Sequence, residues 1–112
     1  MVDKIILYGL PKISLNKWYS GCHWTERNNI KNEYGLLIKS QFNKVYPIKK
    51  YSVDYTFYFK SRPLDASNCV AMVKLIEDVI FKDDKHDLID IDGIRSRKAK
   101  KNFVEIIIKS LD

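Results

Sequence analysis

Residues 51–60 read Tyr-Ser-Val-Asp-Tyr-Thr-Phe-Tyr-Phe-Lys and alternate without a break. Every odd-numbered position is aromatic or aliphatic, and the even-numbered positions carry the hydroxyl, carboxylate and ammonium groups. Because successive side chains of a strand point to opposite faces, this pattern predicts a strand with one face in the core. Pro63 has no amide hydrogen to give to a sheet, so the strand should end before it.

The residues before this strand predict one shorter strand and one long helix. Residues 4–8 form an apolar run that ends at a Gly-Leu-Pro breaker, and residues 11–23 are too polar and irregular for a regular element. Thr25 is a suitable N-cap for a helix that runs to about residue 44. The apolar residues at helical spacing in this segment are Ile30, Tyr34, Leu37, Ile38 and Val45.

The residues after the strand predict a second helix, capped by Ser67, and two more strands at 88–94 and 103–109. A basic run at 95–101 joins those two strands. The order β-α-β-α-β-β predicts an α+β fold, with two helices packed on one face of a four-stranded mixed sheet. The buried stripe of the second helix should consist of Cys69, Met72, Val73, Ile76, Val79 and Ile80.

Length and charge limit the class of protein. With 112 residues, 46% of them hydrophobic, the chain fits one domain that spans residues 1–112. It has no apolar run long enough to span a membrane and no secretory signal pattern, so we expect a soluble cytoplasmic protein without a membrane partner. Lys and Arg outnumber Asp and Glu ten to four in residues 1–60 and six to two in 95–112, whereas acids outnumber bases eight to four in 61–94. Basic segments that flank an acidic one suit a polyanion held beside a divalent cation.

Acidic residues occur at two places that a fold could bring together. Asp65 and Asn68 lie between the long strand and the second helix, and Asp83 and Asp84 follow that helix. If these side chains meet, their oxygens are suitable ligands for Mg²⁺, which would polarise a phosphodiester and activate a water. The alternative is that Asp65 only caps the helix and the later acids are solvated.

Two stretches are candidates for holding nucleic acid. Residues 15–27 mix aromatic and cationic side chains, which can stack on unpaired bases and bind phosphates. The tryptophans of this stretch, Trp18 and Trp24, can equally cover the open end of the core. Five of the seven residues at 95–101 are cationic, which suits phosphates but also an ordinary solvated surface.

Other chemistries lack the spacing they need. The segment after Asp83 has Leu88 and Ala99 where a calcium loop needs acids. Cys22, His23, Cys69 and His86 do not have zinc-finger spacing, and two cysteines are too few for a disulfide framework. No P-loop, dinucleotide fingerprint or nucleophile motif occurs.

In these residues the chain resembles the RusA-like Holliday-junction resolvases over most of its length. The resemblance implies a homodimeric endonuclease, bacterial or phage-encoded, that needs Mg²⁺ or Mn²⁺ and cuts four-way DNA junctions symmetrically. The phrases that carry it are Leu10-Pro11, Ser14-Leu15-Asn16-Lys17-Trp18-Tyr19, His23-Trp24-Thr25-Glu26-Arg27 with the following lysine-bearing helix, Leu64-Asp65-Ala66-Ser67-Asn68 and Lys82-Asp83-Asp84.

Carried over residue by residue, the resemblance implies that Asp65, Asp83 and Asp84 hold the metal and that Asn68 orients the site. Ser67 stands where the family has a second acid, which lowers the charge of the site. Ala71 stands where the family has a lysine, so Lys74, one turn further on, is the candidate for stabilising charge on the phosphate. The implied DNA-binding residues are Asn16, Lys17, Trp18, His23, Arg27, Lys31, Arg95, Arg97, Lys98, Lys100 and Lys101.

The sequence leaves two further functions open. The departures at Ser67 and Ala71 are compatible with a non-catalytic protein that binds branched DNA on the same fold. A nuclease for flaps or other branches is the third possibility.

Overall fold

The computed structural model of the chain describes residues 1–21, 23–83, 85 and 87–111. Within these residues there are four strands, three α-helices and one 3₁₀ turn. In chain order they are β1 (Val2–Tyr8), α1 (Leu15–Ser20), α2 (Trp24–Gln41), β2 (Tyr51–Phe59), the 3₁₀ turn (Ala66–Cys69), α3 (Val70–Ile80), β3 (Ile89–Lys98) and β4 (Phe103–Ser110).

The four strands make one mixed sheet in the order β1-β4-β2-β3. β4 is antiparallel to both β1 and β2, whereas β2 and β3 are parallel neighbours joined through α3. The predicted α+β class with a four-stranded mixed sheet is therefore confirmed. β3 and β4 lie on opposite sides of β2, so the basic run between them is not the tip of a hairpin.

The alternation of residues 51–59 places one face of β2 in the core, as predicted. All five odd-numbered side chains are buried, against the helices on that side of the sheet. Burying one large apolar side chain contributes ~1.5–3 kcal/mol, so this strand and α3 supply much of the hydrophobic stabilisation. The buried side chains of α3 are Ala71, Met72, Val73, Leu75, Ile76, Glu77 and Ile80.

The segment predicted as a loop contains α1. The Ser14 hydroxyl oxygen accepts a hydrogen bond from the Lys17 amide at 3.1 Å, and the Trp18 side chain is only 8% exposed. A helix of six residues is not stable alone, because its hydrogen bonds do not offset the cost of nucleation. It forms here because Trp18 packs on the core, which is a tertiary effect that local periodicity does not reveal.

The predicted ends of the helices shift for identifiable reasons. His23 rather than Thr25 caps α2, since the His23 Nδ1 accepts from the Thr25 amide at 3.3 Å. α2 ends at Gln41, whose side-chain amide accepts a hydrogen bond from the Tyr8 N–H and donates one to the Tyr8 carbonyl. Val45, which was predicted to lie on the apolar face of this helix, follows its end and is exposed. Ser67 lies within the 3₁₀ turn instead of capping α3.

The basic run begins inside a strand. β3 extends to Lys98 because its backbone continues to pair with β2 as far as Phe59. The predicted strand ended at residue 94, since alternating charged side chains on an edge strand give little hydrophobic signal.

Within the described residues, no helix is both long enough and apolar enough to cross a bilayer.

The Tyr46 hydroxyl donates a 2.6 Å hydrogen bond to the Asp3 carboxylate, which lowers the pKa of Asp3, and the ammonium of Lys44 lowers it further. A carboxyl whose pKa is lowered on folding stabilises the protein above its unfolded pKa, and this contribution is lost as the pH falls through the folded pKa. Tyr46→Phe should therefore raise the pKa of Asp3 and make stability less sensitive to acid below about pH 4. Carboxyl ¹³C NMR titration measures the first effect and urea unfolding across pH the second. An unchanged Asp3 titration would show that the bond does not matter in solution.

Candidate functional site

Asp65 lies at the start of the 3₁₀ turn that leads into α3. Its carboxylate is exposed and makes no capping hydrogen bond, although its backbone carbonyl accepts from the Asn68 amide at 2.8 Å. The 3₁₀ turn packs against α1, α3 and β3. The carboxylate therefore faces solvent at a junction of three elements, and the alternative that it serves as a side-chain cap is not what the structure shows.

Cys69 attaches this turn to the sheet. Its side chain is fully buried beside Ser96 of β3, and burial raises the pKa of the thiol to about 11. The thiol is thus protonated at neutral pH and is no nucleophile. Its role is packing, in line with its place in the predicted buried stripe of the second helix; Cys22 lies outside the described residues.

Asp83 lies at the other end of α3 from Asp65. The backbone of Lys82 hydrogen-bonds Tyr46, and the Asp83 carboxylate pairs with Lys85, whose Nζ is 3.8 Å away and whose amide is 3.1 Å away. The eleven residues of α3 span about 16 Å, so the carboxylates of Asp65 and Asp83 do not meet within one subunit. The predicted ligand Asp84 lies outside the described residues.

Position 71, where the family has a lysine and this chain has Ala71, differs in exposure from the candidate Lys74. Ala71 is fully buried against the core, whereas Lys74 is exposed on the solvent side of α3. In the part of the chain that the structure describes, Lys74 makes no hydrogen bond or ion pair with Asp65 or Asn68. A lysine at position 71 would enter the core here, which explains why that position holds a small residue.

The predicted DNA-binding residues in the stretch 15–27, together with Lys31, divide into structural and exposed residues. Trp18 covers the core, and Arg27 packs over its ring at 5.3 Å and donates to its backbone carbonyl. Lys17 pairs with Glu26 at 3.7 Å. His23 caps α2, while Asn16 and Lys31 are exposed. The exposed aromatic rings of this region belong to Tyr19 and Trp24.

A cluster of cations occupies the end of the sheet where β2 and β3 finish. We call it the basic end. None of its members has an ion-pair partner among the described residues, whereas Lys4, Lys17, Lys44, Lys85 and Arg95 are all paired. The members are Lys12, Lys60, Arg62, Arg97, Lys98, Lys100 and Lys101.

Topology assembles the basic end from three separate segments. The Lys12 ammonium donates hydrogen bonds to the backbone carbonyls of Ser61 and Arg62, each at 3.0 Å. These bonds join the segment before α1 to the end of β2. Sequence reasoning found the members at 97–101 but missed Lys12, Lys60 and Arg62, because isolated cations give no local signal. Arg95, which was predicted to bind DNA, pairs with Asp54 on β2.

The geometry suits a polyanion near one carboxylate. The 3₁₀ turn packs on β3, so Asp65 lies on the side of the fold where β2 and β3 end. Arg62, three residues before Asp65, is a member of the basic end. Mg²⁺ is commonly held by one or two carboxylates, several waters and the phosphates of a substrate. Asp65 can supply the single carboxylate that such a site needs as a minimum. Residues 1–21, 23–83, 85 and 87–111 contain no group of three His, Cys, Asp or Glu side chains placed to hold a metal.

No protein-family model matches the chain, and no curated protein matches it significantly.

Arg27 should hold α1 against the first turns of α2. Arg27→Ala removes both the stacking on Trp18 and the bond to its carbonyl, and we expect it to destabilise the fold by about 1 kcal/mol. Amide hydrogen exchange of residues 15–20 should accelerate more than exchange in β2. Lys31→Ala, one turn later on α2 and exposed, is the matched control and should leave both measurements unchanged. Equal exchange in the two variants would contradict this role.

Proposed function

We propose that the protein is a Mg²⁺-dependent endonuclease that cuts branched DNA, with four-way junctions as the preferred substrate. The observation that carries the proposal is the position of Asp65, an exposed carboxylate without a capping bond. It lies on the same side of the fold as the basic end, whose seven cations have no ion-pair partner among the described residues. Phosphodiester cleavage by a metal needs a carboxylate close to a surface that holds the DNA backbone. The resemblance of the sequence to RusA-like resolvases, which includes the Asp65 phrase itself, points to the same function.

The residues take the following roles. Asp65 would hold the metal together with the scissile phosphate, and Asn68, on the same 3₁₀ turn, would orient it. Mg²⁺ bound there would polarise the phosphodiester and lower the pKa of a bound water. The basic end would hold the DNA arms through their phosphates.

The remaining predicted residues have weaker support. Asp84 stays a candidate second ligand on the resemblance alone, and Lys74 stays a candidate for charge stabilisation at a distance from Asp65. Asp83 is too far from Asp65 to join it in one subunit, so we place Asp83 outside the site. A homodimer would supply two sites related by a twofold axis, as symmetric cuts in two strands require.

Asp65→Asn should lower the rate of junction cleavage by more than about 100-fold, since loss of even an indirect partner of a metal ligand costs 10- to 100-fold. The assay uses a synthetic four-way junction with Mg²⁺ or Mn²⁺, with EDTA as the blank. Asp90→Asn is the matched control, because Asp90 is an exposed carboxylate at the opposite end of β3. Asp84→Asn tests the second ligand. Wild-type cleavage by Asp65→Asn would refute the metal site.

A non-catalytic protein that binds branched DNA is the second candidate. Three observations favour it: the neutral Ser67 in place of an acid, the buried Ala71 in place of a lysine, and the separation of Asp83 from Asp65. Junction binding without cleavage at any concentration of Mg²⁺ or Mn²⁺ would establish this function. A panel of junctions, flaps and duplexes separates both candidates from a nuclease for other branches.

Both candidates predict the same salt dependence. Lys100→Ala combined with Lys101→Ala should weaken junction binding severalfold and reduce the slope of log K against log salt by roughly 1–2, because each lost phosphate contact lowers it by ~0.9. The matched control is Lys50→Ala with Lys82→Ala, which removes the same charge from the other end of the sheet. If the two double variants behave alike, net charge rather than the basic end governs binding.

A further inference from the structure

The face of the sheet that points away from the helices carries a row of three aromatic rings at the basic end. Tyr8 of β1 pairs with Phe103 of β4, which in turn pairs with Tyr58 of β2. The Tyr58 and Phe103 rings are stacked, with centroids 4.3 Å apart and planes 14° apart, and the Tyr8 and Phe103 centroids are 5.6 Å apart. We call these three residues the aromatic row. No described element covers it, and Tyr8 is 51% exposed.

We propose that the aromatic row binds the unpaired bases of single-stranded DNA. The half-exposed Tyr8 ring offers a flat apolar surface on which a base stacks, whereas Tyr58 and Phe103 cover each other's inner faces; such stacking tolerates any base sequence. In a duplex the flat faces of the bases are covered by their neighbours, so the row would select unpaired strands. This surface is separate from Asp65, and its binding does not depend on cleavage.

The charge around the aromatic row favours a nucleic-acid strand. Arg97 lies next to Tyr58 in the sheet register and belongs to the cations without an ion-pair partner in the described chain. Lys60 follows β2 directly. Its backbone amide donates a 2.8 Å hydrogen bond to the side-chain oxygen of Asn102, which precedes Phe103. Cations therefore border the rings at the distance of neighbouring residues, where the phosphates of a stacked strand would run.

The two carboxylates of the same face that lie nearest to the aromatic row, Glu105 and Asp54, are neutralised. Glu105, in the adjacent row of the sheet, pairs with Lys4 at 3.5 Å. Asp54, one row further, pairs with Arg95. A negatively charged ligand on the aromatic row therefore meets the cations Arg97 and Lys60. The charges of Glu105 and Asp54 do not oppose it, because each is paired with a cation. This arrangement distinguishes the row from an ordinary apolar patch.

A cavity of about 320 Å³ borders the aromatic row, and Tyr58 and Phe103 line it. Its lining combines buried residues of the helix side of the sheet, such as Leu7 and Met72, with the polar residues Lys12 and Asn102. A base at the end of a stacked run would find polar partners for its edge in Lys12 and Asn102.

A second copy of this chain fits the aromatic row less well. A twofold interface on the row would bring the Arg97 and Lys60 side chains of both copies together, and burying like charges is unfavourable. The exposed area is also small. Each aromatic side chain offers at most about 150–250 Å², of which Tyr58 and Phe103 already bury a large part, against about 800 Å² per partner in a stable interface.

The test is a fluorescence-anisotropy titration of labelled oligothymidine of fifteen nucleotides, in EDTA so that no cleavage occurs. We expect wild-type protein to bind this strand more tightly than a duplex of equal length, and Tyr8→Ala to weaken binding on the order of tenfold. Tyr8→Phe should bind like the wild type, because it keeps the ring. Ile6→Ala is the matched control, since Ile6 is also exposed on the same strand and face. Arg97→Ala provides a second variant and should weaken binding mainly at low salt.

Three results would overturn the proposal: absence of binding to the single strand, equal affinity of Tyr8→Ala and Ile6→Ala, or conversion of a dimer to a monomer by Tyr8→Ala in sedimentation. Because the titration contains no metal, a protein without nuclease activity can still show this binding. Equally, an active nuclease can fail to show it. Failure here is therefore distinct from failure of the junction-cleavage assay.

Discussion

Parallel pairing of β2 with β3 is the constraint on which the rest of the structure depends. Parallel neighbours cannot be joined by a tight turn, so α3 has to return along the sheet and its N-terminus lies where the strands end. This places Asp65 and the basic end on the same side of the molecule. The same geometry places Asp83 beyond the far end of α3, about 16 Å of helix away.

The sheet also separates charge along its strands. Acidic residues gather where β3 begins, and cations without ion-pair partners in the described chain gather where β2 and β3 end. Phosphates are attracted to the second region, whereas the acids of the first lie beside Lys50, Lys82 and Lys85, which offset their charge. The proposed roles of Asp65 and of the aromatic row both use the positively charged region, on different faces of the sheet.

The candidate site was only partly predictable. Asp65 and Asn68 were identified because they interrupt the boundary between a strong strand and a strong helix, and the structure leaves the Asp65 carboxylate exposed. Whether the Asp65 and Asp83 carboxylates meet was not predictable, because the spacing of two residues along the chain does not show that they lie at opposite ends of the helix between them. Trp18 and Arg27 were grouped as ligand-binding residues, yet they pack on each other and on the core. The aromatic row was not identified because Tyr8, Tyr58 and Phe103 come from three distant strands.

By itself the sequence determined the central strand, the second helix and the α+β class, because period-2 and period-3.6 burial are local properties that neighbouring residues encode. It also determined the segregation of charge into basic and acidic segments. Only the tertiary structure decided that β3 pairs with β2 instead of β4, that α1 forms, and that cations from three segments share one end of the sheet. These features depend on contacts between residues far apart in the chain, for which no local pattern exists.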